Sequence, residues 1–379
     1  MKLEIQEYQV KRIVNKHKHV DGGWFWTRYS AHPYVGCRSG CEFCYLRGGI
    51  YLGRRDPDSF DTLIQVKMNA VQLLRKELSR LKPDVISLGD WQQPVEERYQ
   101  HSRQMLEVLL EFSFPLFIVE RSPLLLRDLD LLQDIHNSTH VCVAISMSNM
   151  DQELKQAFEP RSPGLKRRLQ MMRALSDAGV QVGLSMMPII PFLGDNESHI
   201  RDLVAAAVDH GAQFVLGAGM TMDGVQAERT LQAAGKLDAG VETQWRQLYN
   251  QKQGWNSPAD EHPNYQVQLA RKVRQITQEF EIPDRIPRWI PSDKTRTNKL
   301  LTEKLFIKLH ELEMEEALPA RVWEYRKAAW TVDELEEDIV DIFQRGGKQA
   351  LMALPEINSR MAKRIEHWLV KHELIKDRD

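Results

Sequence analysis

Apolar and polar positions follow two different periods along the first 220 residues of the chain. Short runs rich in β-branched and aromatic residues are typical of strands. Between them, apolar residues recur every three or four positions, as on one face of a helix. The predicted strands are Trp24–Ala31, Asp84–Leu88, Pro115–Val119, His140–Met147, Val180–Met187 and Gln213–Leu216. The predicted helices are Leu63–Leu81, Glu97–Phe112, Leu124–Ile135, a split pair within Asp151–Ala178, and His199–His210.

A strand followed by a helix, repeated along the chain, predicts parallel strands joined by right-handed crossovers. The expected fold class is therefore α/β, with an open or partial (β/α)6 barrel over residues 24–220. In such barrels the loops after the carboxyl ends of the strands gather on one face, which carries the reactive groups. Residues 1–23 are expected to form an N-terminal arm.

The second part of the chain has helical periodicity without strand patterns, so an all-helical C-terminal region is expected. Residues 221–329 form a predicted helical extension that contains the helices Asn264–Phe280 and Thr297–Glu315. Between these helices, Ile282–Pro291 is rich in prolines, each of which disfavours helix in the preceding residue. We expect an extended surface linker there. A loop that contacts nucleic acid is the alternative, because the linker carries Arg and Trp residues.

Residues 330–379 are predicted to form a small helical module. Thr331 followed by Glu334 matches a capping box that opens one helix. The pair Gly346-Gly347 is expected to close that helix. A helix, a hinge and another helix are predicted to follow at Lys348–Leu354, Pro355–Asn358 and Ser359–Val370.

The chain has 379 residues, of which 42% are hydrophobic and 27% charged, and this composition excludes collagen-like and largely disordered proteins. Its 51 Lys and Arg residues balance 53 Asp and Glu residues, so binding of nucleic acid would need a local basic patch. No apolar run approaches the roughly 18 residues that span a bilayer. The first residues lack the apolar segment of a signal peptide. We therefore expect a cytoplasmic protein with no membrane partner.

Three of the four cysteines are close together and follow the first predicted strand. Cys37, Cys41 and Cys44 have C-x3-C-x2-C spacing, whereas Cys142 stands alone. In a cytosolic chain such a cluster indicates metal or redox chemistry rather than disulfides. Three thiolates can bind three irons of a four-iron cluster and leave the fourth iron open to an external ligand. A structural zinc site is the alternative, but it normally needs a fourth ligand.

The cysteine loop and the strand before it resemble the radical S-adenosylmethionine superfamily. The string Tyr34–Tyr45, with Phe43 before the third cysteine, is similar to the spore photoproduct lyase branch, often labelled DNA repair photolyase-like. Further similarity lies in the strings Gly89–Glu96, Leu126–Leu132, Glu159–Pro160 and Pro188–Pro191. The resemblance covers about residues 24–220 and implies the barrel of that superfamily.

The resemblance implies that Cys37, Cys41 and Cys44 hold one 4Fe-4S cluster whose open iron chelates S-adenosylmethionine. An electron from the cluster would cleave this cofactor to methionine and a 5′-deoxyadenosyl radical, which abstracts hydrogen from a substrate. The protein supplies position and dryness for this chemistry. The implied partner is an electron donor such as a flavodoxin or ferredoxin.

Five residues match positions that line the cofactor pocket in this family. They are Phe43, Gly89, Asp90, Arg121 and Ser146. The polar residues among them could instead have a purely structural role, because polar residues in loops serve both binding and the structure of the loop. Asp90 could cap a turn, Arg121 could pair with a surface carboxylate, and Ser146 could satisfy a backbone group.

The chain departs from the spore photoproduct lyase pattern at two positions. Ser87 stands where those enzymes have an additional cysteine that donates hydrogen, and serine is a far poorer donor than a thiol. Phe43 replaces the relay tyrosine before the third cysteine, while Tyr45 after it is retained as a candidate catalytic residue. Cys142 lies in mid-strand and is expected to be a buried apolar residue. Activity on the thymine dimer of spores is therefore not expected.

Leu354–Ile365 resembles a helix-hairpin-helix motif, whose usual form is L-P-G-I-G-x-x-x-A-x-x-I. In that family the glycines let backbone amides approach DNA phosphate. Here Glu356 and Asn358 replace them; Asn358 can adopt a left-handed conformation, whereas Glu356 places a negative charge near the phosphate. The resemblance implies contacts to DNA or RNA by Asn358, Arg360, Lys363 and Arg364. A role in packing or protein contact is the alternative.

The leading hypothesis is a radical S-adenosylmethionine enzyme, similar to spore photoproduct lyase, that acts on nucleic acid. The same chemistry on a small metabolite or a peptide is the alternative within the enzyme class. The alternative outside it is a nucleic-acid-binding protein whose iron-sulfur cluster is structural or redox-sensing and performs no turnover.

Overall fold

The computed structural model describes residues 2–22, 24–47, 55–92, 94–222, 224–249 and 265–371. Contacts between residues divide the chain into two compact units. The first unit consists of Met1–Lys16 and Tyr29–Arg285, and the second of His17–Arg28 and Ile286–Asp379. In this division the segment His17–Arg28 groups with the C-terminal helices.

The first unit contains two sheets. Its strands are β1 (Glu4–Tyr8), β2 (Asn15–Lys16), β3 (Tyr29–Ala31), β4 (Tyr34–Val35), β5 (Leu63–Lys67), β6 (Ile86–Leu88), β7 (Leu116–Glu120), β8 (Val141–Ser146), β9 (Gln181–Ile189) and β10 (Val215–Gly219). The larger sheet has the order β10-β9-β8-β7-β6-β3-β2. Its pairs are parallel except the one between β2 and β3. Six parallel strands in sequence order confirm the expected partial (β/α)6 barrel.

Helices connect the parallel strands and continue towards the C-terminus. They are α1 (Ala70–Leu78), α2 (Val95–Tyr99), α3 (His101–Glu111), α4 (Leu129–Ser138), α5 (Gln152–Phe158), α6 (Leu165–Asp177), α7 (Glu197–Asp209), α8 (Gly224–Leu237), α9 (Ala239–Leu248), α10 (Tyr265–Glu279), α11 (Arg296–Met314), α12 (Pro319–Asp333), α13 (Ile339–Met352) and α14 (Ser359–Lys371). The apolar stripes of the barrel helices pack on the sheet, whose core includes Leu74, Leu106, Leu132 and Leu175. No helix within the described ranges is both long and apolar enough to cross a membrane.

Two elements near the N-terminus differ from the sequence-based expectation. The predicted strand Trp24–Ala31 is shorter, because the Asp21 carboxylate accepts hydrogen bonds from the backbone N–H groups of Phe25 and Trp26 and turns the chain. The predicted helix Leu63–Leu81 begins instead with β5, in which buried and half-buried residues alternate. β5 pairs with β1 and β4 in the smaller sheet.

The second unit is helical, as expected, and is built around α11 and α12. Leucines on α11 recur every three or four residues and are buried; they are Leu301, Leu305, Leu309 and Leu312. The Trp330 indole N–H of α12 donates to the Val20 carbonyl at 3.0 Å, which ties the segment His17–Arg28 to this unit. Ile282–Pro291 lies outside the helices, as its prolines predict, but the expected surface position is wrong, because Ile282, Ile286 and Arg288 are buried.

The start of the last module differs from the prediction. Thr331 lies inside α12 and Glu334 follows the end of this helix, so the predicted capping box is wrong. The next helix, α13, begins after Asp338, whose side chain accepts a hydrogen bond from the Val340 N–H. The backbone is non-helical at Gly346 and Gly347, as their conformational freedom predicts.

A buried ion cluster holds the second unit together. Asp333 is paired with Arg288 and, at 3.1 Å, with Lys299, and the three residues are at most 7% exposed. Replacing Asp333 by Ala removes the carboxylate that neutralises two buried cations, which is expected to cost about 3–5 kcal/mol of unfolding free energy. Urea denaturation followed by tryptophan fluorescence measures this loss.

The matched control is Glu337→Ala, which removes the carboxylate of an exposed pair with Arg345 and should have little effect on the urea midpoint. Equal midpoints for the two variants would contradict a stabilising role of the buried cluster.

Candidate active site

The cysteine loop lies between β4 and a 3-10 turn at Tyr45–Arg47. The Cys37 N–H donates to the Phe60 carbonyl at 3.0 Å, and the Cys44 N–H donates to the Cys41 carbonyl at 3.3 Å. The loop can close this tightly because Gly36 and Gly40 have left-handed φ values of 95° and 61°.

Two polar side chains brace the loop. Gln92 accepts a hydrogen bond from the Arg38 N–H and donates one to the Gly36 carbonyl, both at 2.8 Å, so it holds the backbone on either side of Cys37. Arg47 is fully buried, donates to the Cys41 carbonyl at 3.2 Å and pairs with Asp61 at 3.4 Å. The backbone that carries the thiols is thus fixed in position.

Arg121 connects the cysteine loop to the carboxyl ends of neighbouring parallel strands. It follows β7, and its guanidinium donates to the Cys41 Sγ at 2.7 Å and to the Ser146 Oγ at 3.1 Å. Ser146 is the last residue of β8. The structure therefore brings together three of the predicted site residues, which come from distant parts of the sequence.

A buried carboxylate lies beside Arg121. Glu159 is 2% exposed and lies 3.6 Å from the Arg121 guanidinium. It also pairs with the buried Arg168 at 2.5 Å and accepts hydrogen bonds from Ser148 at 3.1 Å and Ser162 at 2.9 Å. Burial opposes ionisation of Glu159, but Arg121 and Arg168 outweigh it and lower the pKa of Glu159 to about 2.

The three thiols share one electrostatic environment. Burial raises the pKa of Cys37 to about 11, of Cys41 to about 12 and of Cys44 to about 11. The charge of Arg121 lowers all three pKa values, while each thiol is also affected by another thiol of the loop. Thiolates at these positions therefore need a strong cation, which bound iron would provide.

Gly89 and Asp90 follow β6, next to the loop. Gly89 has a φ of 125°, and a Cβ there would lie 2.3 Å from the Trp91 ring, so only glycine fits. The pKa of Asp90 is raised well above its usual range by burial and by the charge of Glu120. The charge of Asp90 also raises the pKa of Cys37.

The two aromatic residues of the loop differ in exposure. Phe43 is 6% exposed and stacks on Phe158 with ring centroids 6.4 Å apart. Tyr45, the candidate catalytic residue, is 48% exposed. Cys142 is buried in β8, as its mid-strand position predicts.

The donor set fits a four-iron cluster with one open iron. Cys37, Cys41 and Cys44 are the only protein ligands needed for such a cluster. Shortly after β8, the buried Asn149 Oδ1 has no hydrogen-bond partner among the described residues. No three His, Cys, Asp or Glu side chains in the described residues are placed to hold a metal ion. The thiolates of a cluster bind separate irons, so they do not have to converge on a single ion.

The residues that resemble a helix-hairpin-helix lie in the second unit. Asn358 donates to Glu324 at 2.6 Å, and Arg360 pairs with the same carboxylate. Arg364 lies over the Tyr325 ring at 5.6 Å, and Lys363 is exposed. The left-handed residue of the hairpin is Glu356, with a φ of 60°, rather than Asn358.

Sequence reasoning missed the residues that support the site from behind, because they are distant from the cysteines in sequence or carry no pattern of their own. They are Arg47, Gln92, Glu120, Ser148, Ser162 and Arg168. The string Glu159–Pro160 is recognisable only through the family resemblance, and its residues alone predict no role for Glu159. A buried Glu followed nine residues later by Arg168 gives no local signal, since the pairing depends on how α6 packs.

The chain has distant relatives of unassigned function. It is 28% identical over 261 residues to an uncharacterized protein of Mycobacterium tuberculosis, covering 67% of this chain and 75% of that protein. It is 27% identical over 196 residues to an uncharacterized protein of Methanocaldococcus jannaschii, covering 52% of this chain and 71% of that protein. No protein-family profile matches the chain.

Solved structures share the fold of the chain. A variant of spore photoproduct lyase superposes with a TM-score of 0.52 at 16% identity, covering 73% of this chain and 79% of that one. A second variant, solved with bound AdoMet and dinucleoside spore photoproduct, has a TM-score of 0.51 at 14% identity and covers 75% of this chain and 82% of that one. The chain therefore shares the fold of spore photoproduct lyase.

Glycine at position 89 is required by both conformation and space. Gly89→Ala is expected to cost about 3 kcal/mol or more of unfolding free energy, since it adds a steric clash to backbone strain. Trp91 cannot move aside easily, because it is fully buried and its indole N–H donates to Asp128 at 2.7 Å. Urea denaturation measures the loss.

Gly179→Ala is the matched control. Gly179 also has a left-handed φ, of 79°, but a Cβ there meets no atom of the described residues within 4 Å. This substitution should cost only about 1–2 kcal/mol. If Gly89→Ala were no more destabilising than Gly179→Ala, the close approach of Trp91 would not constrain the site.

Proposed function

We propose that the protein is a radical S-adenosylmethionine enzyme in which Cys37, Cys41 and Cys44 hold a 4Fe-4S cluster. The observation that supports this most is the convergence of Cys41, Arg121 and Ser146 at the carboxyl ends of parallel strands. A bound cluster would supply the electron for reductive cleavage of S-adenosylmethionine and so for hydrogen abstraction from a substrate. An external donor such as a flavodoxin or ferredoxin would reduce it.

The chain's own residues have distinct roles in this proposal. Arg121 and Ser146 bind and orient the carboxylate of S-adenosylmethionine, since both present hydrogen-bond donors from neighbouring strands. The raised pKa of Asp90 favours its protonated form, which can donate a hydrogen bond to the ligand. Phe43 provides an apolar wall for the adenine. Tyr45 stays the candidate for hydrogen relay.

The first test is the production of 5′-deoxyadenosine. Protein reconstituted anaerobically with iron and sulfide, then reduced with dithionite, should release it from S-adenosylmethionine. Replacing Cys37, Cys41 and Cys44 together by Ala should abolish both iron binding and product, because the cluster then loses all its protein ligands. Liquid chromatography with mass spectrometry measures the product.

Cys142→Ala is the control, because this thiol is buried within β8 and removed from the loop. It should keep its iron and its product. A fully loaded wild-type protein that forms no 5′-deoxyadenosine would favour the binding protein without turnover.

We propose nucleic acid as the substrate class. Two observations support it: the fold is shared with spore photoproduct lyase, and the second unit carries a hairpin with basic residues on α14. Of these, Lys363 is exposed, and Arg364 is partly exposed. Asn358 and Arg360 already bind Glu324, so they would reach phosphate only by leaving this carboxylate.

Substitution of the basic residues tests this assignment. Replacing Lys363 and Arg364 together by Ala should weaken binding of duplex DNA and lower the slope of log affinity against log salt by about 2, one for each lost phosphate contact. Fluorescence anisotropy at several salt concentrations measures both quantities.

Lys76→Ala, an exposed lysine on α1, is the control and should leave binding unchanged. If wild-type protein binds neither DNA nor RNA at low salt, the substrate is a small metabolite or a peptide.

A further inference from the structure

We propose that Glu159 is a positioning residue that acts through Arg121 and thereby sets the affinity of the site for the carboxylate of its ligand. This inference rests on the proposed function, in which Arg121 binds the carboxylate of S-adenosylmethionine. Glu159 itself is 2% exposed and would not touch the ligand.

The contacts of Arg121 show why it needs support. Its side chain is 22% exposed, so it can reach a ligand, and an arginine that faces solvent samples many rotamers. Three groups restrain it: the Cys41 sulfur at 2.7 Å, the Ser146 hydroxyl at 3.1 Å and the Glu159 carboxylate at 3.6 Å. Among them, Glu159 carries the charge opposite to that of Arg121.

Glu159 is fixed by groups behind the site. Arg168 pairs with it at 2.5 Å and also donates to the Ser146 carbonyl at 2.7 Å. The hydroxyls of Ser148 and Ser162 donate to its two oxygens. A carboxylate with these partners cannot swing toward solvent, so it holds the guanidinium at a defined place.

The two guanidinium groups that pair with Glu159 differ in exposure. Arg168 is 1% exposed, whereas Arg121 is partly exposed. Of the two guanidinium groups that pair with Glu159, only that of Arg121 is therefore open to the approach of a carboxylate ligand. Holding this charge in place before binding lowers the entropy lost when the ligand is bound.

A double-mutant cycle on the reconstituted protein tests the proposal. Equilibrium dialysis with S-adenosylmethionine gives the dissociation constant of each variant without requiring turnover. Arg121→Ala should raise it at least about tenfold, the loss of one charge-assisted hydrogen bond. Glu159→Gln should raise it about fivefold in the wild-type background but less than about twofold in the Arg121→Ala background.

Two further variants separate positioning from general structure. Glu159→Asp keeps the charge and should recover part of the lost affinity. Glu111→Gln makes the same change at an exposed carboxylate that pairs with Arg75 outside the site, so its dissociation constant should stay within about twofold of wild type. In turnover, Glu159→Gln should raise KM for S-adenosylmethionine with little change in kcat, because it weakens binding of the ground state.

The outcomes distinguish the inference from the proposed function. If wild-type protein with a full cluster binds no S-adenosylmethionine, both are overturned. If it binds, but Glu159→Gln has the same effect with and without Arg121, the proposed function stands and the positioning role is wrong. If Glu159→Gln does not fold, as judged by circular dichroism, the same cycle with Glu159→Asp tests whether Glu159 acts through Arg121.

Discussion

The cysteine loop depends on a nearby positive charge and on a backbone that is held in place. Three thiolates repel one another, so a short loop can hold them together only if both are present. Burial alone raises the pKa values of Cys37, Cys41 and Cys44, so it favours the thiols. Arg121 opposes this by placing a guanidinium nitrogen on the Cys41 sulfur. The rest of the site serves this contact: Glu159 and Arg168 form the buried pair behind Arg121, and Gln92 holds the loop backbone.

The parallel sheet makes this arrangement available. The carboxyl ends of parallel strands open on one face, and side chains that follow them meet although they are distant in sequence. Arg121 follows β7 and Ser146 ends β8, and these strands pair directly, with Val119 opposite Ala144. Gly89 and Asp90 follow β6, which pairs with β7. The radical chemistry proposed above would need such a face, because the cofactor and substrate would have to be held close together and shielded from water.

The barrel could be predicted from the sequence because its strands are central and buried. β8 is buried at every position, and such apolar runs between helical patterns can be recognised without a structure. The sequence of β5 predicts helix instead, because Leu63–Lys67 has few residues and is nearly continuous with the apolar stripe of α1. The segment before β3 has the pattern of a strand, but the hydrogen bonds of the Asp21 side chain that turn it leave no pattern in the sequence.

Those parts of the candidate site that show in the local spacing of residues or in the family resemblance could be predicted from the sequence. The cysteine motif is local, and Arg121 and Ser146 follow from the resemblance, but their contact with Cys41 required the fold. The pair of Glu159 and Arg168 could not be predicted, because an ion pair between a loop and a helix depends on tertiary packing. The backbone conformation of the C-terminal hairpin could not be predicted from the sequence either. Its sequence favours Asn358 for the left-handed conformation, yet Glu356 adopts it.

The most direct test of the central claim is iron and sulfide analysis of anaerobically purified protein, combined with electron paramagnetic resonance of the reduced form before and after S-adenosylmethionine is added. We expect about four irons and four sulfides per chain and a spectrum that changes when S-adenosylmethionine is added, because the ligand would bind the open iron. Protein that is colourless and free of iron, or that holds a single zinc ion, would contradict it.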